Sequence, residues 1–520
     1  MNHSLAPRHR DFFGSDGLRI RLRFGPAAFA LAVLAGCAPA GGGLSLDVRF
    51  ATQERAQTAA GGLPLGVSSL KLEVFRGGEV WAESGCRAVS ADGPKRQAAA
   101  IDLAPAEALT VRVTGYGDAS CAGGDIWQGT SGEFDIREGQ ETRVSVFVTR
   151  RGYRLNLLRN TLPAGRAFAS ATPLPDGRVL IAGGFDRVSS AGPPAVLEAA
   201  CTALIYRPDR GEFSPPIAMP DCRGLHQALL VNGKAILLGG AARAYFDASG
   251  PARPVLYPDP DTRLDAAVAF DPQSNTFAVV GASELLARAD AAAAVLSSTG
   301  SVVLAGGRTA SLRDGAIIVG VPGSPWSFSR AGTLAQPRSG ARMLVRQEKI
   351  LVAGGNAAAT PAIERGTPEA PEAVAAGDLP ALVGHLLLPI GADGFLLAGG
   401  MGVDAGSAPR LEAVLGGFEG APESWTRLQL QRARAYPAAA ILDDGTLALA
   451  GGLGDGFRAE KTIEIGSVPQ TREVLAEELL TGSAGIAAAR VRDGSWLLAG
   501  GLDPGEAGPV LSAEGQLLSP

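Results

Sequence analysis

Ala171–Gly184 reads ATPLPDGRVLIAGG. A short apolar run meets the turn Asp176-Gly177, and a second apolar run, Val179-Leu180-Ile181, ends in Gly183-Gly184. Asp-Gly accepts the positive φ of a tight hairpin turn, so the stretch predicts two antiparallel strands with a type I′ turn. The runs are too short for helices, and the Asp-Gly turn interrupts them. Six more glycine pairs follow: Gly239-Gly240, Gly306-Gly307, Gly354-Gly355, Gly399-Gly400, Gly451-Gly452 and Gly500-Gly501, at intervals of 45 to 67 residues. A period of about fifty residues is the mark of a repeat architecture.

The copies keep the layout. Their turns are Asn232-Gly233, Asp393-Gly394, Asp444-Gly445 and Asp493-Gly494; Gln347-Glu348 lacks a glycine and is the weakest turn signal. We label the hairpin strands a and b. A third strand c follows a loop, and a fourth, d, carries Phe213, Phe277, Trp326 or Trp425. Hairpin strands this apolar are buried on both faces, which blades stacked face to face around an axis provide. The last repeat offers one strand, Val510 to Leu518, but no d. Tyr153–Leu158 resembles the d segment after Ser424 and is expected to close the last blade, removing an open edge.

Apolar runs ending in Gly-Gly with a later aromatic, together with Arg223-x-x-His226, resemble the kelch motif, and Leu174–Gly184 is similar to its bacterial, galactose-oxidase-type variant. The resemblance covers residues 152–520 and implies an all-β, seven-bladed β-propeller. It implies no activity, because one fold hosts many functions. A copper oxidase of the galactose-oxidase type would need two histidines, two tyrosines and a cysteine, a set that does not map onto this chain.

Ahead of the repeats, residues 44–150 alternate as LSLDVRF, LKLEVF, LTVRVTGY and TRVSVFVT. This predicts a small immunoglobulin-like β-sandwich, a stalk or spacer. Residues 1–36 read as a targeting segment, with Arg19, Arg21 and Arg23 before the apolar run Pro26–Gly36. Leu34-Ala35-Gly36-Cys37 resembles the bacterial lipobox, which implies that Cys37 becomes a lipidated first residue. Ala38, unlike the aspartate associated with inner-membrane retention, points to the outer membrane, and residues 37–43 form a tether.

The remaining four cysteines fall into two pairs, Cys86 with Cys121 and Cys201 with Cys222, expected as disulfides of an oxidising compartment. Neither pair has metal-ligand spacing, and no metal or other cofactor is implied. The formal net charge is −5, with no basic patch for nucleic acid. No Gly-x-Ser-x-Gly or HExxH motif stands in a suitable context, and no catalytic residue is assigned.

The long b–c loops, Phe185 to Ala200 and Ala241 to Leu264, share one rim, where recognition is usually placed. Arg166, Arg223, Arg338 and Arg434 each precede a strand a, and Asp186, Asn356, Asp404, Asp455 and Asp503 follow glycine pairs. One reading is a polar ring that grips an anionic or glycan ligand. The other is a set of inter-blade salt bridges and turn caps that serve the repeat. His226 and His385 lie on strand a of different repeats, where the kelch motif accepts histidine as a structural donor. The expected function is that of a lipid-anchored binding module whose partner is a protein or a glycan, with the membrane reached through the lipid; the alternatives are a propeller enzyme of the envelope, an oxidase or a glycan-active protein, and a purely structural envelope protein.

Overall fold

The computed structural model describes residues 18–23, 43–51, 66–89, 96–98, 103, 105–123, 126–138, 140–247, 256–310, 313–357, 363–374, 379, 382–402, 408–468, 472–475, 477–481 and 484–520. Cys37 and Asp404 lie outside them. The described chain is strands, turns and four single-turn 3-10 segments, in two units, Met1–Arg151 and Gly152–Pro520. No helix among the described residues is long and apolar enough to cross a membrane.

In the first unit, alternate residues of four strands build one core. Leu44, Leu46 and Val48 meet Leu70, Leu72 and Val74, with Val111, Val113, Val144, Val146 and Val148. Side chains two apart share a face of a strand, so the alternation read in the sequence is the burial pattern. Gly43–Phe50 runs parallel to Glu141–Arg150, and Ile126–Thr130 joins that pair to the strands around Ala106–Tyr116. Leu18–Arg23, inside the segment read as a leader, pairs antiparallel with Gly43–Phe50. Its alternation of Leu or Ile with Arg suits a strand as well as a charged leader. Cys86 and Cys121 form a disulfide here.

The second unit holds seven antiparallel blade sheets in succession, six of four strands and the first of five, in which both Glu212–Phe213 and Ile217–Ala218 pair with Thr202–Arg207. Blade 2 is typical: Gln227–Val231, Lys234–Leu238, Ala266–Asp271 and Thr276–Ala282 pair in that order. The innermost strands touch in a cycle, from Ser170–Pro173 through each blade to Ala487–Arg490 and back to Ser170–Pro173. Blade 7 takes its outer strand from the start of the unit: Arg154–Leu157 pairs with Gly515–Ser519. The single strand expected over Val510 to Leu518 is two. Val510–Leu511 turns aside to pair with Leu502–Asp503, and Gly515–Ser519 alone is strand c.

The glycine pairs have a common mechanical reason. All fourteen have positive φ, from +59 to +72° at the first glycine and from +81 to +116° at the second. In four blades the second glycine's N–H donates to a carbonyl of the next blade: Gly184 to Arg223, Gly240 to Arg288, Gly307 to Arg338, and Gly501 to Arg166 across the closing seam, at 2.8 to 2.9 Å. The first glycine lets that carbonyl approach; at Gly399 an added Cβ would lie 2.6 Å from the Arg434 oxygen. Gly-Gly is thus the stitch between blades, the close backbone approach for which glycine is suited.

The turns differ from expectation. Only Asn232-Gly233 and Gln347-Glu348 have positive φ at both positions. At Asp176, Asp444 and Asp493 only the following glycine does, and each carboxylate accepts the N–H two residues on, from Arg178, Thr446 and Ser495. These are Asx-braced turns with a left-handed glycine, which suit longer hairpin loops. The turn at Gln347-Glu348 takes the left-handed conformation without glycine, held by Glu348 accepting from Ser297 and Ser298 of the preceding blade.

Candidate functional site

The rim arginines are the first test of the sequence reading. Arg223, Arg338 and Arg434 are fully buried and Arg166 nearly so. Each guanidinium turns back into its own blade and clips the ends of strands b and c. Arg166 donates to the Gly183 and Thr202 carbonyls, Arg434 to those of Gly451 and Thr462. Arg223 pairs with Asp221, Arg338 with Glu364 and Arg434 with Glu464. Arg288, overlooked in the sequence, does the same with Gly306 and Asp314. Burial lowers the pKa of Arg166, Arg288, Arg338 and Arg434 from the ordinary guanidinium value, and neighbouring carboxylates oppose that. Of the two readings, burial and these contacts favour the structural one: the side chains are internal clips, within blades rather than between them.

The histidines are braces between blades. His226 Nε2 lies 2.9 Å from Ser170 Oγ of blade 1, and His385 Nε2 lies 3.1 Å from the Ala353 carbonyl of blade 4. Burial pushes both down to about 3, so the rings are neutral near neutral pH.

Two residues after each arginine position the chain reaches the axis. Phe168, Leu225, Asp290, Gly340, Gly384, Tyr436 and Gly485 occupy equivalent places there, all with φ between +52 and +72°. Their backbones form a collar: Asp290 N–H donates to Leu225 O, Gly340 to Asp290, Tyr436 to Gly384, Gly485 to Tyr436 and Phe168 to Gly485, at 2.6 to 3.0 Å. Four collar residues are not glycine, and such left-handed residues cluster where structure serves function. The glycines make room for neighbours. The Tyr436 ring covers Gly384, the Phe168 ring covers Gly485, and the Asp290 carboxylate lies over Gly340.

The two long b–c loops are not irregular. They pair into a four-stranded sheet of strands β1 (Phe185–Ser190), β2 (Ala195–Ala199), β3 (Arg243–Phe246) and β4 (Leu256–Pro258). Its inner face, with Leu197, Ala244, Phe246 and Leu256, packs in one cluster with Val383, Ala435, Leu453, Ala484 and Leu502 of blades 5, 6 and 7. The sheet therefore caps the mouth of the channel around which the blades close. The Cys201–Cys222 disulfide ties the chain just after β2 to the start of blade 2. The outer face presents Tyr245 and Tyr257, ring centroids 5.2 Å apart.

At the edge of the cap, beside β4, a shallow crevice with a cavity volume of about 20 Å³, partly open to solvent, descends toward the collar. Leu256, Tyr257 and Pro258 form one wall. Asp290, Arg308, Ser339, Arg342, Asn356 and Tyr436, from blades 3, 4 and 6, form the other with Val383 and two collar glycines. Desolvation raises the Asp290 carboxyl to about 6, with Arg342 opposing, and burial also raises the Tyr436 phenol. Arg313 donates to Asn356 Oδ1 at 2.6 Å, and the Arg308 guanidinium lies 5.9 Å from the Tyr257 ring centre. Of the polar residues noted after glycine pairs, Asn356 reaches the crevice. Arg308 is blade 3's counterpart to it, passed over because that comparison looked for acids and amides. Asp290 and Tyr436 sit at a fixed offset from the arginine positions, the one signal that could have exposed them.

These features meet in one architecture. The solved structure of a novel fungal alcohol oxidase of the AA5 family, in complex with copper, aligns with 71% of this chain and 76% of its own, at 16% identity and a TM-score of 0.53. The fold is a β-propeller of the kelch and galactose-oxidase type. The structure of YjhT aligns with 61% of this chain and 98% of its own, at 13% identity and a TM-score of 0.43. No family model and no curated protein matches the sequence.

Proposed function

We propose that this propeller is a lipid-anchored, extracytoplasmic binding module for a protein or glycan, and that its site is the crevice at the edge of the cap. The observation that carries the reading is the cap: it seals the apolar part of the channel mouth and leaves a polar recess where four blades and β4 converge. A few convergent polar groups on a rigid frame fix the orientation of a ligand that rests against them. Two disulfides fit an oxidising compartment. The test is capture from an envelope extract, with Tyr257→Ala and Asn356→Ala compared against the parent protein. Both variants are expected to keep their melting temperature and lose the captured partner. Undiminished capture by both, with the fold intact, sinks the crevice as the site.

The alternative is a copper oxidase like the fungal neighbour. The donor set opposes it. Among the described residues no three His, Cys, Asp or Glu side chains converge as a metal site. His226 and His385 are engaged in braces on separate blades, and Cys201 and Cys222 are joined to each other. The residues present do not fit copper of that kind.

The anchor rests on Leu34-Ala35-Gly36-Cys37 and has its own test. Cys37→Ser should move the protein from the membrane to the soluble fraction or leave it unprocessed. A variant still fully processed and in the outer membrane removes the lipid from the account. Processing at Cys37 would also remove Leu18–Arg23 from the edge of Gly43–Phe50.

A further inference from the structure

We propose that the crevice is an anion site: it takes a ligand bearing a carboxylate or phosphoryl group, held between Arg308 and Arg342 with the ligand's body against Tyr257. This rests on the crevice being the binding site and names the chemistry it selects.

The five arginines that clip the blades have internal partners. Arg223, Arg288, Arg338 and Arg434 each have a carboxylate within 3.0 Å. Arg166 has no carboxylate within reach, yet its guanidinium nitrogens meet the Gly183 and Thr202 carbonyls and Thr202 Oγ1. The two crevice arginines are treated differently. Among the described residues neither Arg308 nor Arg342 forms an ion pair. Arg342 makes a long 3.4 Å contact with the Ala341 carbonyl and acts on the Asp290 carboxylate through its charge alone, and the Arg308 guanidinium rests over the Tyr257 ring. Both are half-buried, and both line the same crevice. A guanidinium withdrawn from water needs acceptors, and its planar fork matches a carboxylate or phosphoryl group. Two such forks at one recess, neither paired with a carboxylate, describe a site for an anion. The position also follows from the repeat. Arg308 follows a glycine pair and Arg342 comes two residues after a collar glycine, so the propeller frame fixes their backbones.

Asp290 supplies a second, signed signature. Its carboxylate faces the same recess, and the other titratable or charged groups lining it are Arg308, Arg342, Tyr257 and Tyr436. Its carboxyl is raised to about 6. When ionised it repels an incoming anion; when protonated it does not, and it can donate a hydrogen bond. A bound anion raises its pKa further, so binding takes up a proton. Affinity therefore rises as pH falls toward about 6, and levels off below it, where Asp290 is protonated in both free and bound states, and at high pH, where it is ionised in both.

The test is calorimetric titration of the folded protein with glucuronate, glucose 6-phosphate, inorganic phosphate and, as the neutral probe, glucose. Saturable binding of an anionic probe, with no matching response to glucose, is the expected result. The glucuronate and phosphate arms decide which anion the site prefers. Arg308→Gln and Arg342→Gln should each weaken that binding by about 10-fold or more, the loss of a charge-assisted contact, with the melting temperature held. Asp290→Asn should strengthen it near neutral pH and flatten the dependence on pH. The proposal is overturned if no anionic probe binds at millimolar concentration, if glucose binds as well, or if folded Arg→Gln variants bind like the parent. Should partner capture depend on Tyr257 while anions neither bind nor compete, the crevice stands as the site and its anionic selectivity falls.

Discussion

Gly500→Ala is expected to destabilise the propeller by on the order of 3 kcal/mol or more, while Gly445→Ala costs only about 1–2 kcal/mol. The two glycines have similar backbones, φ +72° and +82°. The left-handed strain of an added side chain is therefore similar at both. Their surroundings differ. A Cβ at Gly445 would meet nothing within 4 Å, whereas one at Gly500 would be driven into the Arg166 carbonyl oxygen. That carbonyl accepts from Gly501 N–H at 2.8 Å and is the stitch between the last blade and the first. Moving it also disturbs the Arg166 side chain, which clips Gly183 and Thr202. The difference between the two variants isolates the inter-blade approach from backbone strain. Equilibrium unfolding of both gives the answer. Equal losses would mean that glycine is kept at position 500 for its φ alone, and that the seam tolerates a methyl group.

The same geometry shows why the fold was legible and the site was not. The glycine pairs, the short apolar hairpins and the Asp-Gly turns recur because each blade repeats one mechanical task, and a repeated task leaves a period in the sequence. The buried arginines repeat too, at Arg166, Arg223, Arg288, Arg338 and Arg434, and repetition is what marks them as parts of the scaffold. A binding site breaks the repeat. At the collar the same backbone position holds Phe168, Leu225, Asp290, Gly340, Gly384, Tyr436 and Gly485, seven places that share a conformation and little chemistry. The repeat marks the positions, two residues after each arginine place, but no shared chemistry marks which of them line a site. The cap was hidden for a different reason. Phe185–Ser190 and Ala195–Ala199 lie in one repeat, Arg243–Phe246 and Leu256–Pro258 in the next, and the pairing of Ala195–Ala199 with Arg243–Phe246 joins two loops that read as separate insertions. The alternation Ala195, Leu197, Ala199 was a local strand signal, but its partner strand lies more than forty residues away.

Glu464→Ala is expected to cost about 3–5 kcal/mol, the price of leaving a buried cation without its counter-charge. Glu464 and the Arg434 side chain are both fully buried. The carboxylate accepts from Arg434 Nε at 3.0 Å and from the backbone N–H groups of Gln431 and Arg432 at 2.8 and 2.9 Å. Alanine removes all three acceptor contacts at once, and no water reaches the gap easily. Glu464→Gln separates the contributions, because it keeps an acceptor oxygen for the backbone while removing the charge. It should fall between the parent and the alanine variant. The double variant Arg434→Leu/Glu464→Leu should lose less than the sum of the single losses, since it removes the stranded charge, though the Gly451 and Thr462 carbonyls then lose their donor. Capture of the partner, measured per folded molecule, should be unchanged in all of these. The pair lies in blade 6 beneath the rim, and neither residue lines the crevice. A variant at Glu464 that kept its stability and lost its partner would reverse the assignment, returning the buried arginines to the binding surface and leaving the crevice without its role.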